Sequence, residues 1–217
     1  MTAASRTSAT PGSTALLAAT LLALGVVVAL MAPTTAASAR PAAASTTATS
    51  VRHVTLLTRA GHLRPRYTVT STGKGYCWSS SMVNGHLYRC SRGRFILDPC
   101  WKVSGRRSVV CLARPWGTQV ARIGLTKRLP ATDSSGPALW GLRIGDGIGA
   151  RCVRSQGASG TVRGRTISYY CQHGWVLLGR PDRSTPLWTM ATARWVTDRY
   201  VWKGRHQLTV AWKAVVH

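Results

Sequence analysis

The sequence predicts an all-β fold, either a small antiparallel sandwich or a barrel, stapled by three disulfides. Short apolar and β-branched segments follow one another at intervals of roughly 8 to 12 residues, and turns containing Gly or Pro separate them. Outside the N-terminal leader, no segment carries apolar residues at the spacing of about 3.6 residues that marks an amphipathic helix. The six cysteines lie in or beside these segments, so that covalent links can hold neighbouring strands together.

Residues 1–39 are predicted to form an N-terminal signal helix that directs export. Arg6 supplies a positive charge ahead of an apolar run at residues 15–31, and Ala37-Ser38-Ala39 matches the small-x-small pattern of a cleavage site. The apolar run is almost long enough to cross a bilayer, so an uncleaved N-terminal membrane anchor is the alternative. The cleavage pattern favours secretion to the extracellular space or the cell wall.

Residues 40–50 predict a disordered linker, and residues 51–217 predict the folded β domain. The linker consists mainly of Ala, Ser, Thr and Pro and has no apolar periodicity. Export brings the six cysteines into an oxidising compartment, where we expect them to pair.

Within the domain, strand-like segments alternate with turn signals. Asn84-Gly85 favours a tight hairpin turn, which predicts that residues 86–90 run back antiparallel to residues 76–79. Asp98-Pro99 is predicted to form another turn. The clearest alternation of apolar and polar residues lies at 208–216. The other strand-like segments are residues 51–58, 67–72, 95–97, 108–112, 119–129, 140–144, 148–153, 165–171, 175–178 and 187–196.

The spacing of the cysteines predicts local disulfides. Each neighbouring pair brackets a predicted hairpin or a short return of the chain, which brings its two ends together. Six cysteines allow fifteen connectivities in principle, and the spacing favours the one that joins nearest neighbours. The predicted bridges are Cys77–Cys90, Cys100–Cys111 and Cys152–Cys171.

The charge of the chain points to anionic partners. Lys and Arg number 29 against five acidic residues, and removal of the leader with Arg6 leaves 28 − 5 = +23. Such a charge favours association with nucleic acid, anionic lipid or acidic cell-envelope polymer. Charge that is merely spread over the surface would instead serve solubility, and this interpretation stays open.

Basic residues beside aromatic residues are the candidate binding residues, because a cation and a ring together can hold a charged cyclic ligand. Most of the nine tryptophans are expected to pack in the core or on hairpins, whereas Trp195 and Trp202 are expected at the surface, where basic residues flank them. The candidates are Arg92, Arg94, Arg106, Arg107, Arg163, Arg165, Arg194, Trp195, Arg199, Trp202 and Lys203.

Catalytic machinery is sparse in this sequence. Glycoside hydrolysis needs an acid and a base beside one bond, whereas most of the five Asp residues fall in predicted turns. Paired cysteines leave no nucleophile, the scattered histidines predict no metal site, and no cofactor is expected. A ribonuclease-like phosphodiesterase stays open, with His86 and His173 as general acid and base and an arginine for the phosphate.

Several short motifs occur together between residues 75 and 190. The most specific are Asp98-Pro99-Cys100 and Pro181-Asp182-Arg183-Ser184, and Cys77-Trp78, Arg151-Cys152 and Gly174-Trp175 accompany them. With this set the chain resembles a family of uncharacterised exported, cysteine-containing proteins of high-GC Gram-positive (actinobacterial) bacteria. The resemblance implies no established activity and assigns no site residues. Phe commonly follows Asp-Pro-Cys in that family, and this chain has Trp101 there.

The function that the sequence favours is a secreted, non-catalytic binding protein with a strongly basic surface, held at the cell envelope by anionic polymers or other polyanions. We expect a monomer. The alternatives are the small secreted phosphodiesterase and a structural or sensory envelope domain whose charge is incidental.

We predict cleavage of the leader after Ala39. N-terminal sequencing of the secreted protein should begin at Arg40, because the small residues Ala37 and Ala39 suit the binding site of a signal peptidase. A secreted chain that began at Met1 or Thr2 would contradict this prediction.

Overall fold

The computed structural model describes residues 47–217, and it confirms the predicted fold class, because the described chain is all-β. The predicted signal helix and residues 40–46 of the predicted linker lie outside the described residues. None of the helical turns in 47–217 has the length and hydrophobicity that a bilayer span requires. The described strands are β1 Ser50–Val54, β2 Thr68–Ser80, β3 Tyr88–Arg92, β4 Phe95–Lys102, β5 Ser108–Cys111, β6 Gln119–Leu125, β7 Leu139–Ile144, β8 Arg151–Arg154, β9 Thr161–Val162, β10 Arg165–Cys171, β11 Trp175–Asp182, β12 Thr189–Val196 and β13 Arg199–Ala214.

Strands β2 to β6 form a closed barrel in which each strand pairs with the next one along the chain. The pairs β2–β3, β3–β4, β4–β5 and β5–β6 are antiparallel. Five strands that alternate in direction leave the first and the last pointing the same way. The barrel therefore closes through a parallel pairing of β2 with β6, which runs from Thr68↔Gln119 to Gly75↔Leu125.

The second barrel contains six strands, in the order β7, β8, β10, β11, β12 and β13. An even number of alternating strands closes in the antiparallel sense, and β13 pairs with β7 from Leu208↔Ile144 to Lys213↔Leu139. Strand β9 forms a short ribbon with β10, and β1 adds to β13 in parallel. The interior of this barrel contains the fully buried side chains of Leu142, Ile144, Leu177, Met190 and Leu208.

Each disulfide joins two cysteines that lie opposite each other on paired strands, in the connectivity that the spacing predicted. The bridges are Cys77–Cys90 between β2 and β3, Cys100–Cys111 between β4 and β5, and Cys152–Cys171 between β8 and β10. The first two bridges occupy the interior of the first barrel together with Val109 and Ile123. Disulfide sulfur thus takes the place of larger apolar side chains in a narrow barrel.

The two barrels share one hydrophobic cluster to which both contribute. Trp101 of β4 and Trp140 of β7 meet there with ring centroids 6.1 Å apart, and both are almost fully buried. The Trp101 Nε1–H donates to the Val215 carbonyl oxygen, and the Asn84 side-chain amide donates to the Ala214 carbonyl oxygen, each at 2.9 Å. These bonds satisfy donors inside the cluster, so the junction between the barrels is polar as well as apolar.

The prediction of a turn at Asp98-Pro99 is wrong, because both residues lie within β4, joined by a cis peptide bond. The buried Asp98 carboxylate accepts hydrogen bonds from the Ser81 hydroxyl and, at 3.0 Å, from the Met82 backbone N–H. Proline has no N–H to pair, and the ladder between β3 and β4 shifts its register beside it.

The folded region begins slightly before residue 51, where the linker was predicted to end. Strand β1 starts at Ser50, and the Thr49 N–H donates to the Pro186 carbonyl oxygen at 3.0 Å. The Thr49 hydroxyl donates to the Leu208 carbonyl oxygen at 2.5 Å and accepts from the Trp188 N–H at 2.8 Å. These bonds fix the last residues of the predicted linker to the second barrel.

We predict that stability depends strongly on the ring at position 101. Trp101→Ala should lower the free energy of unfolding by about 3 to 5 kcal/mol, because it leaves a cavity between the barrels. Trp101→Phe should cost only about 1 kcal/mol, chiefly because the hydrogen bond to Val215 is removed. Chemical denaturation measures both values, with the exposed Trp195→Phe as control. Equal destabilisation by Trp101→Ala and Trp195→Phe would contradict the role of the shared cluster.

Candidate anion-binding clefts

Most basic side chains of the described domain have no carboxylate partner. Residues 47–217 contain 29 − 2 = 27 of the basic residues, since Arg6 and Arg40 precede them, and all five Asp residues. Within this range the structure contains one salt bridge, between Arg205 and Asp182 at 3.1 Å. The other arginines and lysines are therefore free of carboxylates on their own chain and can bind anions from outside.

Four exposed arginines from separate parts of the chain line a cleft between the two barrels, with a cavity volume of about 390 Å³. Strand β1 and residues 66–67 form one part of it, and the loop at 115–118 together with β7, β8 and β13 forms the rest. We call this site the interbarrel cleft and define it by Arg52, Arg66, Arg143, Arg151, Trp116 and Trp212.

The strand register explains why two of these arginines stand side by side. Arg143 of β7 and Arg151 of β8 are cross-strand partners, next to the pair Leu142↔Cys152. Leu142 and Cys152 are fully buried inside the second barrel. Because side chains alternate along a strand, both arginines must point outward into the interbarrel cleft.

Aromatic rings position the guanidinium groups of the interbarrel cleft. Trp116 packs against the buried Trp212 with ring centroids 5.3 Å apart, and the Arg151 guanidinium lies 5.7 Å from the Trp116 ring centroid. The Arg66 guanidinium lies 4.7 Å from the centroid of the Tyr67 ring and donates to the Tyr67 hydroxyl at 2.6 Å. Both guanidiniums keep further N–H groups for a bidentate contact with phosphate or carboxylate.

A close approach of backbone segments holds Trp116 in place. A Cβ added at Gly141 of β7 would lie 2.6 Å from the Pro115 side chain and 3.4 Å from the Trp116 ring. Glycine is therefore required at 141 for the loop at 115–118 to pack on β7. Any side chain at this position would push the loop, and with it the Trp116 ring, away from the arginines.

Several of the binding residues predicted from the sequence do come together, at the end of the second barrel. Arg163, Trp195, Arg199 and Trp202 line a cleft of about 560 Å³, which we call the β13 cleft. The guanidiniums of Arg163 and Arg165 lie 5.7 and 5.9 Å from the Trp202 ring centroid. The hairpin β9–β10 carries both arginines over the tryptophan of β13.

The remaining predicted residues of the second barrel, and Arg92 and Arg94 of the first, lie elsewhere. The exposed Arg94 has its guanidinium 5.5 Å from the Phe95 ring centroid. Arg194 is opposite Trp175 on β11, with its guanidinium 5.8 Å from that ring. Lys203 is exposed but does not line the β13 cleft. Arg92 is half-buried and packs over Gly73 of β2, where an added Cβ would lie 2.8 Å from its Cδ.

Arg106 and Arg107 line a third cleft, of about 480 Å³, on the first barrel. The apolar side chains of Leu125 and Leu129 form part of its wall. Arg107 also donates to the Thr126 carbonyl oxygen at 3.3 Å. We call this site the first-barrel cleft and define its basic residues as Lys102, Arg106, Arg107, Lys127 and Arg128.

The two histidines proposed for a phosphodiesterase belong to different barrels. His86 follows the turn between β2 and β3, and its backbone N–H donates to the Asn84 side chain at 3.0 Å. His173 lies in the 3-10 turn Gln172–Gly174 between β10 and β11. Within residues 47–217 no hydrogen bond or ring contact joins the two histidines, which lie in turns of different barrels.

The sulfur atoms of Cys90, Cys100 and Cys111 lie within 4.8 Å of one another, a spacing that could suit a metal ion. All three belong to disulfides and offer no thiolate. The described residues thus use this cluster for packing inside the first barrel.

The interbarrel cleft has no contiguous signal in the sequence. Its arginines are separated by up to about a hundred positions. The pairings of β1 with β13, of β13 with β7 and of β7 with β8 bring three of them together, and the segment ahead of β2 adds Arg66. The one local signal was the alternation around Arg143, which predicts an outward side chain but not its neighbours. Trp78, which is not among the binding residues predicted from the sequence, is also exposed.

Comparison of the chain with models of protein families, with curated proteins and with solved structures finds no match.

Asp98 is the one buried acid among the described residues, and its neighbours and its burial shift its pKa in opposite directions. Burial raises the pKa of the Asp98 carboxyl above its ordinary value. The hydrogen bonds from Ser81 and Met82 and the nearby charges of Arg89 and Arg154 act in the other direction and do not cancel the effect of burial. The carboxyl is enclosed by the protein and fastens β4 to the segment that follows β2.

We predict a specific pH dependence from this carboxyl. The pKa of Asp98 in the folded state lies above the unfolded value of 3.8. Between these two pKa values the folded state binds the proton and the unfolded state has largely released it. The stability of the wild type relative to Asp98→Asn should therefore fall as the pH rises from 3.8 through the raised pKa, and then stay constant. Urea unfolding across this pH range measures the difference.

The exposed Asp133 provides a control of opposite sign. Hydrogen bonds from Ser135 lower the pKa of the Asp133 carboxyl below its ordinary value of 3.8. The wild type should therefore gain stability relative to Asp133→Asn as the pH rises from the lowered pKa to 3.8. A difference between the wild type and Asp98→Asn that does not change with pH would show the assignment to be wrong.

Proposed function

We propose that this protein is a secreted, non-catalytic binding domain that attaches to polyanions, above all to acidic polymers of the cell envelope. The observation that carries the proposal is the convergence of arginines without carboxylate partners in three surface clefts, two of which, the interbarrel cleft and the β13 cleft, also contain aromatic rings. Guanidinium groups match phosphate and carboxylate geometry, and the adjoining rings offer contact to sugar or base.

The distribution of the clefts supports a polymer as the ligand. The interbarrel cleft, the β13 cleft and the first-barrel cleft have volumes of about 390, 560 and 480 Å³, sizes that suit one or two units of a chain molecule. A long polyanion that occupies two clefts binds the second one at a high effective concentration. Affinity then rises with polymer length without any single tight site.

The chemistry of the clefts favours recognition by charge over recognition by sequence. Their charged groups are all arginines and lysines, which contact phosphate or carboxylate and carry no information about base order. We therefore expect comparable binding of acidic envelope polymers and of nucleic acid of any sequence.

We predict a steep dependence of this binding on salt. Affinity for a labelled polyanion should fall by orders of magnitude between roughly 50 and 200 mM salt, because bound arginines release condensed counterions. Arg143→Ala with Arg151→Ala, and separately Arg106→Ala with Arg107→Ala, should each make the logarithmic salt slope shallower by about 0.7 to 0.9 for every arginine that no longer meets a phosphate. Fluorescence titration measures the slopes.

The matched control is Arg59→Ala with Arg114→Ala, which removes the same charge from exposed positions outside the three clefts. It should change the slope less than either cleft variant. A flat salt response, or no binding at low salt, would reject the proposal and favour a structural or sensory envelope domain. Hydrolysis of a phosphodiester substrate that is abolished in His86→Ala would favour the enzyme instead.

A further inference from the structure

One outer face of the first barrel exposes large apolar side chains in a row. On β2, Tyr76 and Trp78 flank the inward Cys77, so both must point outward. Across β3, Tyr76 pairs with Ser91, and Ser91 pairs with Ile96 of β4, which places Tyr76 and Ile96 on the same side of the sheet.

Phe95 lies next to Ile96 at the end of the β3–β4 hairpin. It pairs with Arg92, so its side chain leaves β4 on the side opposite to Ile96 and is exposed at this end of the barrel. The exposed fractions are 39% for Tyr76, 40% for Trp78, 57% for Phe95 and 43% for Ile96. We call these four residues the aromatic face. Water-soluble proteins rarely leave several large apolar side chains together in solvent, so such a surface indicates a partner.

A basic side chain lies close to each aromatic ring of the aromatic face. The Lys127 ammonium lies 4.7 Å from the Tyr76 ring centroid, and the Arg89 and Arg94 guanidiniums lie 5.5 Å from the rings of Trp78 and Phe95. Lys74 is exposed on the same side of β2. The acid nearest in sequence, Asp98, is buried, so no exposed carboxylate within β2, β3 or β4 offsets these charges.

We propose that the aromatic face docks the protein on the surface of an anionic lipid bilayer. This goes beyond the polyanion clefts, because a soluble polymer offers charge but no apolar phase in which Phe95 and Ile96 can be buried. A bilayer offers both: Trp and Tyr rings settle at the level of the headgroups, and Arg and Lys bind their phosphates.

The shape of the hairpin suits shallow insertion. Gly93, with a φ of 59°, turns the chain tightly between β3 and β4, and the apolar pair follows directly after Arg94. Phe95 and Ile96 can enter the acyl boundary while Arg94 and Arg89 remain at the phosphates, as for amphipathic elements that lie in the interface. The tyrosine and the tryptophan of β2 then complete the contact from the side.

The test is co-sedimentation of the mature protein with phosphatidylglycerol vesicles and with phosphatidylcholine vesicles. We expect strong partition to the anionic vesicles and at least about tenfold less to the zwitterionic ones, because of the basic residues of the face. Phe95→Ser with Ile96→Ser should reduce partition to phosphatidylglycerol at least about tenfold, since less apolar burial weakens interfacial binding. Brominated acyl chains should quench tryptophan fluorescence in the wild type.

The matched control is Val51→Ser with Tyr170→Ser, which removes two apolar side chains of similar exposure, 40% and 45%, from the second barrel. Its partition should equal that of the wild type, and circular dichroism should show that both double variants fold. Partition of Phe95→Ser with Ile96→Ser equal to that of the wild type would overturn the proposal, as would the absence of quenching by brominated lipid.

A parallel titration with soluble long-chain polyphosphate separates this proposal from the proposed function. The variant at 95 and 96 should bind polyphosphate like the wild type, because neither residue lines a cleft. Binding of polyphosphate without binding of phosphatidylglycerol vesicles would overturn membrane docking and leave the polymer clefts intact. Vesicle binding without polyphosphate binding would support membrane docking and reject the polymer clefts.

Discussion

The alternation of side chains about the buried disulfides sets which residues face solvent in this protein. Cys77 and Cys90 point into the first barrel from opposite strands, so Tyr76 and Trp78 must point away from it. In the second barrel Cys152 faces inward, and its strand neighbour Arg151 faces outward in consequence. A slip of one residue would expose the sulfur and bury Tyr76 and Trp78 at the first bridge or Arg151 at the other. A covalent cross-link prevents such a slip.

Several of the five acidic residues stabilise the fold by accepting hydrogen bonds from the protein itself. The buried Asp98 of β4 accepts a hydrogen bond from Ser81 in the segment after β2, and Asp133 accepts one from the backbone N–H of Ser135. Asp146 accepts from the Gln207 N–H at 2.9 Å. The acids thus fix loops and strand ends and neutralise little of the surface. A compact chain of this charge repels itself, and three cross-links together with the cluster between the barrels offset that repulsion.

The fold class and the disulfides were predictable because their signals are local: period-two alternation, turn residues and cysteine spacing all act within about twenty residues. The β13 cleft was partly predictable for the same reason, since Trp195, Arg199 and Trp202 share one hairpin. The interbarrel cleft was not, because barrel closure is a long-range property that no local pattern encodes. The error at Asp98-Pro99 has a related cause: a proline inside a strand resembles a turn until its burial and its partners are known.

The placement of β1 has a mechanical consequence. Strand β1 lies parallel to β13, with registers from Ser50↔Val210 to Val54↔Ala214, so the start of one strand and the end of the other are at opposite ends of the pair. Tension applied between these two points loads all the ladder hydrogen bonds at once in shear, whereas an antiparallel pair held at adjacent ends would open one bond at a time. The Val215 N–H, which donates to the Val54 carbonyl oxygen at 2.9 Å, lengthens the loaded segment. A domain tethered ahead of β1 and pulled at the end of β13 would need a high force to unfold, because these bonds must break together.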